Sequence, residues 1–333
     1  MTFPEAYDRI HPLYKEHAIR QANDPPPSTF DEGRQRQKER YRAERENVPQ
    51  VLCNSYTISV DETQSKGNNT NTVQVYVIRP PGTETTILPV MVFVHGGGWI
   101  YGDKEIYEIP ICDLAIRARA AIVFVEYSLT PEVQYPVALD QVWAAIRWAH
   151  QSSDLIHVDP STLIVAGDSA GGNLAAATCL LDKQRGGDRR MIHGQILIYP
   201  LLDFARPHAS EPSSSVTLYG GGPEFALPID VVYRSQRLYC GQQTTTDILI
   251  SPTLASTKDL EGLPPTLIAT AECDPLRDEG EAYANQLMQA GVHVAAIRVL
   301  GTIHGFFQMN KVVPQYSQLL GSMASFMQDV FKN

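Results

Sequence analysis

Apolar positions follow two rhythms along this chain. Tyr56-Thr57-Ile58-Ser59-Val60 and Val73-Gln74-Val75-Tyr76-Val77-Ile78 alternate apolar with polar residues, the period of a strand with one wet face. The polar stretch between them, Asp61 to Thr72, predicts an exposed hairpin loop. From residue 89 the strands read as near-continuous apolar runs: Pro89 to Val94, Ala121 to Val125, Leu163 to Ala166, Ile196 to Tyr199 and Thr266 to Ala271. Such runs belong to strands covered on both faces. Val292 to Val299 predicts the last strand, with a loop from Gly301 to Phe307 after it. Helical spacing falls between the strands, with Leu139, Val142, Trp143, Ile146 and Ala149 on one face, and Tyr283, Leu287 and Ala290 on another before a terminating Gly291. Tyr316 to Phe331 predicts a closing helix. Alternation of this kind predicts an α/β fold, a mostly parallel central sheet flanked by helices.

Two segments break the alternation. In residues 1 to about 50, Asn23-Asp24-Pro25-Pro26-Pro27-Ser28-Thr29 separates two predicted helices. The second of these helices mixes Arg34, Arg36, Lys38, Arg40, Arg42 and Arg45 with Asp31, Glu32, Glu39, Glu44 and Glu46. Charges so nearly balanced read as a solvated helix laced with i,i+4 pairs, not a basic binding arm. The other break runs from Asp203 to Asp247, through Pro207, Pro212, a serine cluster, Tyr219-Gly220-Gly221-Gly222-Pro223 and a short helical piece, Ile229 to Leu238. Regular signals resume after it, so it reads as an insertion over the site and not a linker. The expected organisation is N-terminal cap helices over 1–50, a catalytic domain over 51–202 and 248–333, and a cap insertion over 203–247. Aromatic residues in both cap segments (Phe3, Tyr7, Tyr14, Phe30, Tyr219, Phe225) suit a joint lid.

Composition narrows the partners. At 333 residues and 43% hydrophobic content the chain has enough apolar side chain for a large core, and a net charge of −10 argues against nucleic acid and anionic membrane surfaces. No stretch approaches the roughly 18 apolar residues of a membrane span, and the N-terminus lacks the apolar run of a signal peptide. Five scattered cysteines, with no C-x-x-C pair, read as reduced thiols in a cytoplasmic protein, not as a disulfide frame or zinc site.

Chemistry concentrates in four places. Leu163-Ile164-Val165-Ala166-Gly167-Asp168-Ser169-Ala170-Gly171-Gly172-Asn173 reads as a strand, a sharp turn and a helix, with Ser169 at the apex. Gly167 and Gly171 leave room for the close strand–helix approach that such a turn requires. A purely structural Gly-Ser turn is the alternative. His95-Gly96-Gly97-Gly98-Trp99 follows a buried strand, and a glycine run there suits backbone N–H groups converging on a developing oxyanion. A phosphate cradle fits less well, because no lysine or helix start follows directly. His304 lies on a glycine-flanked loop just past a strand, and Asp274 ends another strand before a proline; Asp278, four residues on, is its rival. His95 sits where it would hold the glycine loop in shape. The order Ser169, Asp274, His304 is that of an α/β hydrolase.

HGGGW, GDSAGGNLA, YPLLD, DPLRDEG and IHGF, in this order and spacing, resemble the hormone-sensitive-lipase-like (bacterial family IV) branch of the α/β-hydrolase esterases from about residue 55 onward. The resemblance implies Ser169 as nucleophile, Asp274 as acid and His304 as base. It also implies Gly97, Gly98 and Ala170 as oxyanion donors, supported by His95 and Gly96, and a mainly helical cap. Trp99, Tyr199, Tyr219 and Phe306 are the expected pocket aromatics. The chain departs from the family at Tyr127-Ser128-Leu129-Thr130-Pro131-Glu132, where Tyr-Arg-Leu-Ala-Pro-Glu is usual. The implied activity is hydrolysis of small or medium-sized carboxylic esters through an acyl-enzyme, with no cofactor and no metal. A homodimer stays open. Lactones, amides such as an arylformamide and acetylated metabolites remain alternative substrates. A non-catalytic receptor, like the plant gibberellin receptors, is disfavoured because His304 is present.

Overall fold

The computed structural model describes residues 3–44, 47–60, 71–186, 190–204, 213–243, 246–309 and 313–332. Eight strands form one sheet: β1 (Leu52–Ser59), β2 (Thr72–Arg79), β3 (Leu88–Val94), β4 (Ala121–Glu126), β5 (Val158–Asp168), β6 (Gly194–Ile198), β7 (Thr266–Cys273) and β8 (Val294–Ile303). Their order is β1-β2-β4-β3-β5-β6-β7-β8. The pairings β1–β2 and β2–β4 are antiparallel. From β4 to β8 every pairing is parallel. The antiparallel edge is where the sequence alternates and the parallel centre is where it runs apolar. Most of the hairpin insert between β1 and β2, residues 61–70, lies outside the described residues, as do residues 205–212 of the 203–247 insertion.

Strand period divides the core in two. Val90, Val92 and Val94 of β3 point into one cluster with α5 (Val137–Gln151), α7 (Ala170–Gly186) and α11 (Arg277–Gln289). Met91 and Phe93 point into the other, with α4 (Glu108–Ala118) and α12 (Pro314–Phe331). All five of these β3 side chains are fully buried, each worth roughly 1.5–3 kcal/mol of transfer free energy. α11 ends at Gln289, and Gly291 takes the left-handed φ of 77° expected of a residue just past a helix. β8 runs on to Ile303, past the Val299 expected from sequence. Gly301 sits inside it at φ 74°, where the register to β7 shifts, so the glycine marks an irregularity within the strand and not its end.

The N-terminal helices α1 (Phe3–Asp8), α2 (Pro12–Asn23) and α3 (Phe30–Glu44) meet α8 (Ser214–Tyr219) and α9 (Ile229–Cys240) of the insertion. Tyr7 lies edge-on to Phe225 at 6.2 Å, and Arg234 sits 5.5 Å above the Phe30 ring. The charged helix α3 does carry the i,i+4 pair Glu32–Arg36, but most of its partners lie elsewhere. Arg34 binds both Glu132 oxygens at 2.8 Å and also donates to the Ile100 and Thr130 carbonyls. Lys38 reaches Asp103 at 2.7 Å, and Arg42 pairs with Glu105. The balanced charge that reads as a solvated face instead docks α3 onto the loop after the triglycine. Thr130, where the family has alanine, donates to the Leu238 carbonyl of α9 at 3.0 Å. The departure at Thr130 therefore adds a tie from the segment 127–132 to α9. Its tie to α3 runs through Glu132, which the family pattern keeps, and the Thr130 carbonyl.

Glu126, at the end of β4, stands close to this docking site. Burial, with Asp103 adding repulsion, pushes its carboxyl from 4.5 up to about 7. The unfolded chain releases this proton near 4.5 and the folded chain holds it to about 7. The stability this group contributes is thus complete at low pH and is lost as pH rises through that window. Glu126→Gln should flatten the fall in Tm between pH 5 and pH 8 relative to the wild type. Identical slopes in the two proteins would rule the mechanism out.

Candidate active site

The parallel strands all finish at one edge of the sheet, and β3, β5, β6, β7 and β8 each hand their next residues to the same place. Ser169 follows β5 directly and takes a left-handed φ of 54°, a strained turn for a residue with a Cβ. Its backbone is fastened on both sides, the N–H donating to the Ile198 carbonyl at 2.9 Å and the carbonyl accepting from Leu201 at 3.1 Å. A Cβ on Gly167 would lie 2.3 Å from the Gly171 carbonyl oxygen, and one on Gly171 would lie 2.0 Å from that of Val94. The motif's glycines are thus required by backbone contact.

His304 comes from the turn after β8. Its Nε2 lies 2.9 Å from Ser169 Oγ, and its Nδ1 lies 2.8 Å from Asp274 Oδ2. Asp274 is fully buried, and its other oxygen accepts the Leu276 N–H at 2.8 Å, which fixes the carboxylate's rotation. With Nδ1 carrying the proton, Nε2 is an acceptor aimed at the Ser169 hydroxyl. The rival Asp278 faces away, accepting from the Ser214 hydroxyl, the Ser215 N–H and Arg277.

The triglycine loop faces Ser169. Gly97 and Gly98 have φ of 105° and 63°, and a Cβ on Gly97 would lie 2.3 Å from the Tyr101 carbonyl oxygen. Ala170 is the first residue of α7, where a helical N–H has no partner within the helix. His95 is entirely buried and stacked on Tyr127 at 4.2 Å, its Nδ1 donating to the Gly96 carbonyl at 2.8 Å. Burial pushes its pKa down to about 4, so it is a neutral part of the loop's frame.

Ser169, His304, Gly97, Gly98 and Leu201 form the floor of a cavity of about 680 Å³. Its walls include Leu13, Tyr14 and Phe30 from the N-terminal segment and Leu227 and Val231 from the insertion. The four expected pocket aromatics are not in its lining, and that expectation is corrected. Trp99 is stacked on Tyr239 at 4.3 Å, beside Phe204. Tyr199 packs on His304 at 4.8 Å and on Phe306 at 5.4 Å, and Tyr219 lies between Phe225 and Arg277. All four are buried behind the site, where a large ring gains more from core contact than from a wet cavity. Tyr107 and Gln308, which no motif singles out, also converge here on Asp168.

The chain matches the family described as "alpha/beta hydrolase fold" over residues 91–308. It is 36% identical over 253 residues to the carboxylesterase NlhH of Mycobacterium tuberculosis, covering 75% of this chain and 76% of that one. It is 40% identical over 240 residues to the carboxylic ester hydrolase LipN of the same organism, covering 69% and 60%. A fungal esterase structure from Rhizomucor miehei superposes with a TM-score of 0.89 at 35% identity, covering 97% of this chain and 98% of that one. The hyperthermophilic esterase of Pyrobaculum calidifontis gives 0.85 at 30%, covering 97% and 99%. The motifs, the eight-stranded sheet and these relatives agree, and the chain belongs to the α/β-hydrolase family, in its hormone-sensitive-lipase-like branch of esterases.

Proposed function

We propose that this protein is a serine carboxylesterase working through a Ser169–His304–Asp274 triad and an acyl-enzyme. The observation that carries the reading is the unbroken relay from Ser169 Oγ to His304 to buried Asp274, at 2.9 and 2.8 Å, on the floor of a cavity. Ser169 Oγ attacks the ester carbonyl carbon while His304 Nε2 takes its proton. The resulting oxyanion is held by the N–H groups of Gly97, Gly98 and Ala170. When the intermediate collapses, the C–O bond to the alcohol breaks and His304 returns the proton to the departing oxygen. Water, deprotonated by His304, then attacks the acyl group. The acid leaves and Ser169 is restored. This chemistry requires no metal or organic cofactor.

In the same reading residues 1–50 and 203–247 form the cap over the catalytic domain, and the substrate is a small-molecule ester. Free thiols at all five cysteines fit a reducing, cytoplasmic setting. Among the described residues no helix is long and apolar enough to cross a membrane. A homodimer is consistent with this reading and is tested by light scattering.

Hydrolysis of p-nitrophenyl esters from acetate to decanoate tests the activity, with kcat/KM expected to peak at a short or medium acyl chain. No turnover of any ester, together with turnover of a lactone or an arylformamide, would move the protein to one of those classes. Gly97→Ala should lower kcat by about 10²-fold or more, since its methyl meets Tyr101 and displaces an oxyanion donor; an unimpaired variant would remove Gly97 from the oxyanion hole. Deleting residues 1–45 takes away Leu13, Tyr14 and Phe30 from the cavity wall. Most kcat/KM on the preferred ester should be lost, with slow acetate hydrolysis retained. Unchanged selectivity across the panel would show that the N-terminus is no lid.

A further inference from the structure

Asp168 precedes the nucleophile, is fully buried, and receives hydrogen bonds from four directions. The Gly96 N–H donates to Oδ1 at 2.8 Å. The Tyr107 hydroxyl donates to Oδ2 at 2.9 Å, the Tyr199 hydroxyl at 3.2 Å, and the Gln308 amide at 3.2 Å. The donors do not come from one element. Gly96 opens the triglycine loop, Tyr107 precedes α4, Tyr199 follows β6, and Gln308 lies four residues beyond His304. Tyr107 closes the network, its oxygen accepting from the Gly96 N–H at 2.9 Å and from Gln308. Gly96 must be glycine for this carboxylate to fit, because a Cβ there would lie 2.7 Å from Asp168 Oδ2.

We propose that Asp168 is a positioning residue whose buried carboxylate locks the oxyanion loop, the nucleophile turn and the base loop to one another. The inference rests on the triad reading above, since it concerns how those three loops are held in register. An oxyanion hole works only when its donors already stand where the charge will develop, and a misplacement of about 1 Å can cost 10²-fold. Each loop reaches the site from a separate strand. The Asp168 carboxylate belongs to the nucleophile turn and accepts from both of the other loops, through Gly96 and Gln308.

Charge adds a second effect. Tyr107, Tyr127 and Tyr199 surround Asp168 with their pKa values raised well above the phenol range by burial, and His95 is neutral. Burial raises the Asp168 carboxyl itself, while Tyr107, Gln308 and Gly96 as donors, and the field of His304, favour its anion. Asp274, bound to its Nδ1, is the charged group in direct contact with His304, and Arg36 and Arg40 line the same cavity farther out. A carboxylate at Asp168 therefore favours the imidazolium that forms when Ser169 gives up its proton.

Asp168→Asn keeps the size but removes the charge and presents an N–H₂ to donor partners. With p-nitrophenyl acetate, kcat should fall about 10²-fold with KM nearly unchanged, because Asp168 is buried behind the cavity and does not line it. The acid limb of kcat/KM should move to lower pH, which a merely structural defect would not cause. Gln308→Met should cost about tenfold in kcat alone and distinctly less in the Asp168→Asn background, since the bond between the two is already lost there. Losses that multiply, an unmoved acid limb, or kcat within about twofold of wild type would overturn the proposal. Should Asp168→Asn fail to fold, Tyr107→Phe and Tyr199→Phe decide it, since both hydroxyls donate to Asp168 and neither residue lines the cavity. A kcat loss in each at constant KM supports it, and unchanged kcat in both overturns it. Fluorophosphonate labelling of the wild type separates the two levels. An unlabelled Ser169 defeats the triad reading, whereas a labelled wild type with an unimpaired Asp168→Asn defeats only the positioning role.

Discussion

Ser169→Ala should leave less than about one thousandth of wild-type ester hydrolysis, with no fall in Tm. The hydroxyl is hydrogen-bonded to His304, and the turn around it is held by backbone bonds to Ile198 and Leu201 that alanine retains. Removing Oγ thus removes the attacking atom while leaving the fold's contacts in place. The oxyanion donors alone sustain only a small residual rate, so activity well above the thousandth level would show that another group carries the acyl transfer. Kinetics on p-nitrophenyl acetate paired with thermal denaturation make the comparison.

Asp274→Asn should cost roughly 10⁴-fold in kcat. Its Oδ2 accepts the His304 Nδ1 proton at 2.8 Å, and its Oδ1 is already committed to the Leu276 N–H. An asparagine in that orientation either presents an N–H to Nδ1, forcing the wrong imidazole tautomer, or gives up the Leu276 bond. In both cases the negative charge that stabilises the imidazolium is gone. Asp278→Asn should be nearly silent in turnover, because its partners are Ser214, Ser215 and Arg277. Its effect should fall on Tm instead, through the docking of α8. Comparable kcat losses in the two variants, or the reverse order, would assign the acid wrongly.

The sequence made the sheet and the triad legible for different reasons. Buried parallel strands need unbroken apolar runs, so Pro89–Val94 and Thr266–Ala271 announce themselves by composition. Ser169 and the triglycine loop are legible because their backbone geometry admits almost no other residues, as the contacts at Gly97, Gly167 and Gly171 show. The pocket was not legible. Trp99, Tyr199, Tyr219 and Phe306 sit beside the motifs in sequence, yet proximity along the chain does not say whether a ring faces a cavity or the core, and all four face the core. The cavity wall comes instead from distant, mixed-polarity helices such as α2, α3 and α9. The same limit hid the role of α3, whose charge pattern fits solvent as well as it fits Glu132, Asp103 and Glu105. Asp168 was visible within the serine motif, but Tyr107 and Gln308 reach it from positions that carry no local signature.

Intact-mass spectrometry after treatment with a fluorophosphonate, followed by peptide mapping, tests the central claim most directly. Phosphonylation needs a serine already activated by its histidine, and it leaves a covalent mark on the attacking oxygen. One adduct per chain is expected, located on Ser169, at a rate that collapses in both His304→Ala and Asp274→Asn. An unmodified wild type, an adduct on a different residue, or labelling of Ser169 that is indifferent to His304 would contradict the account.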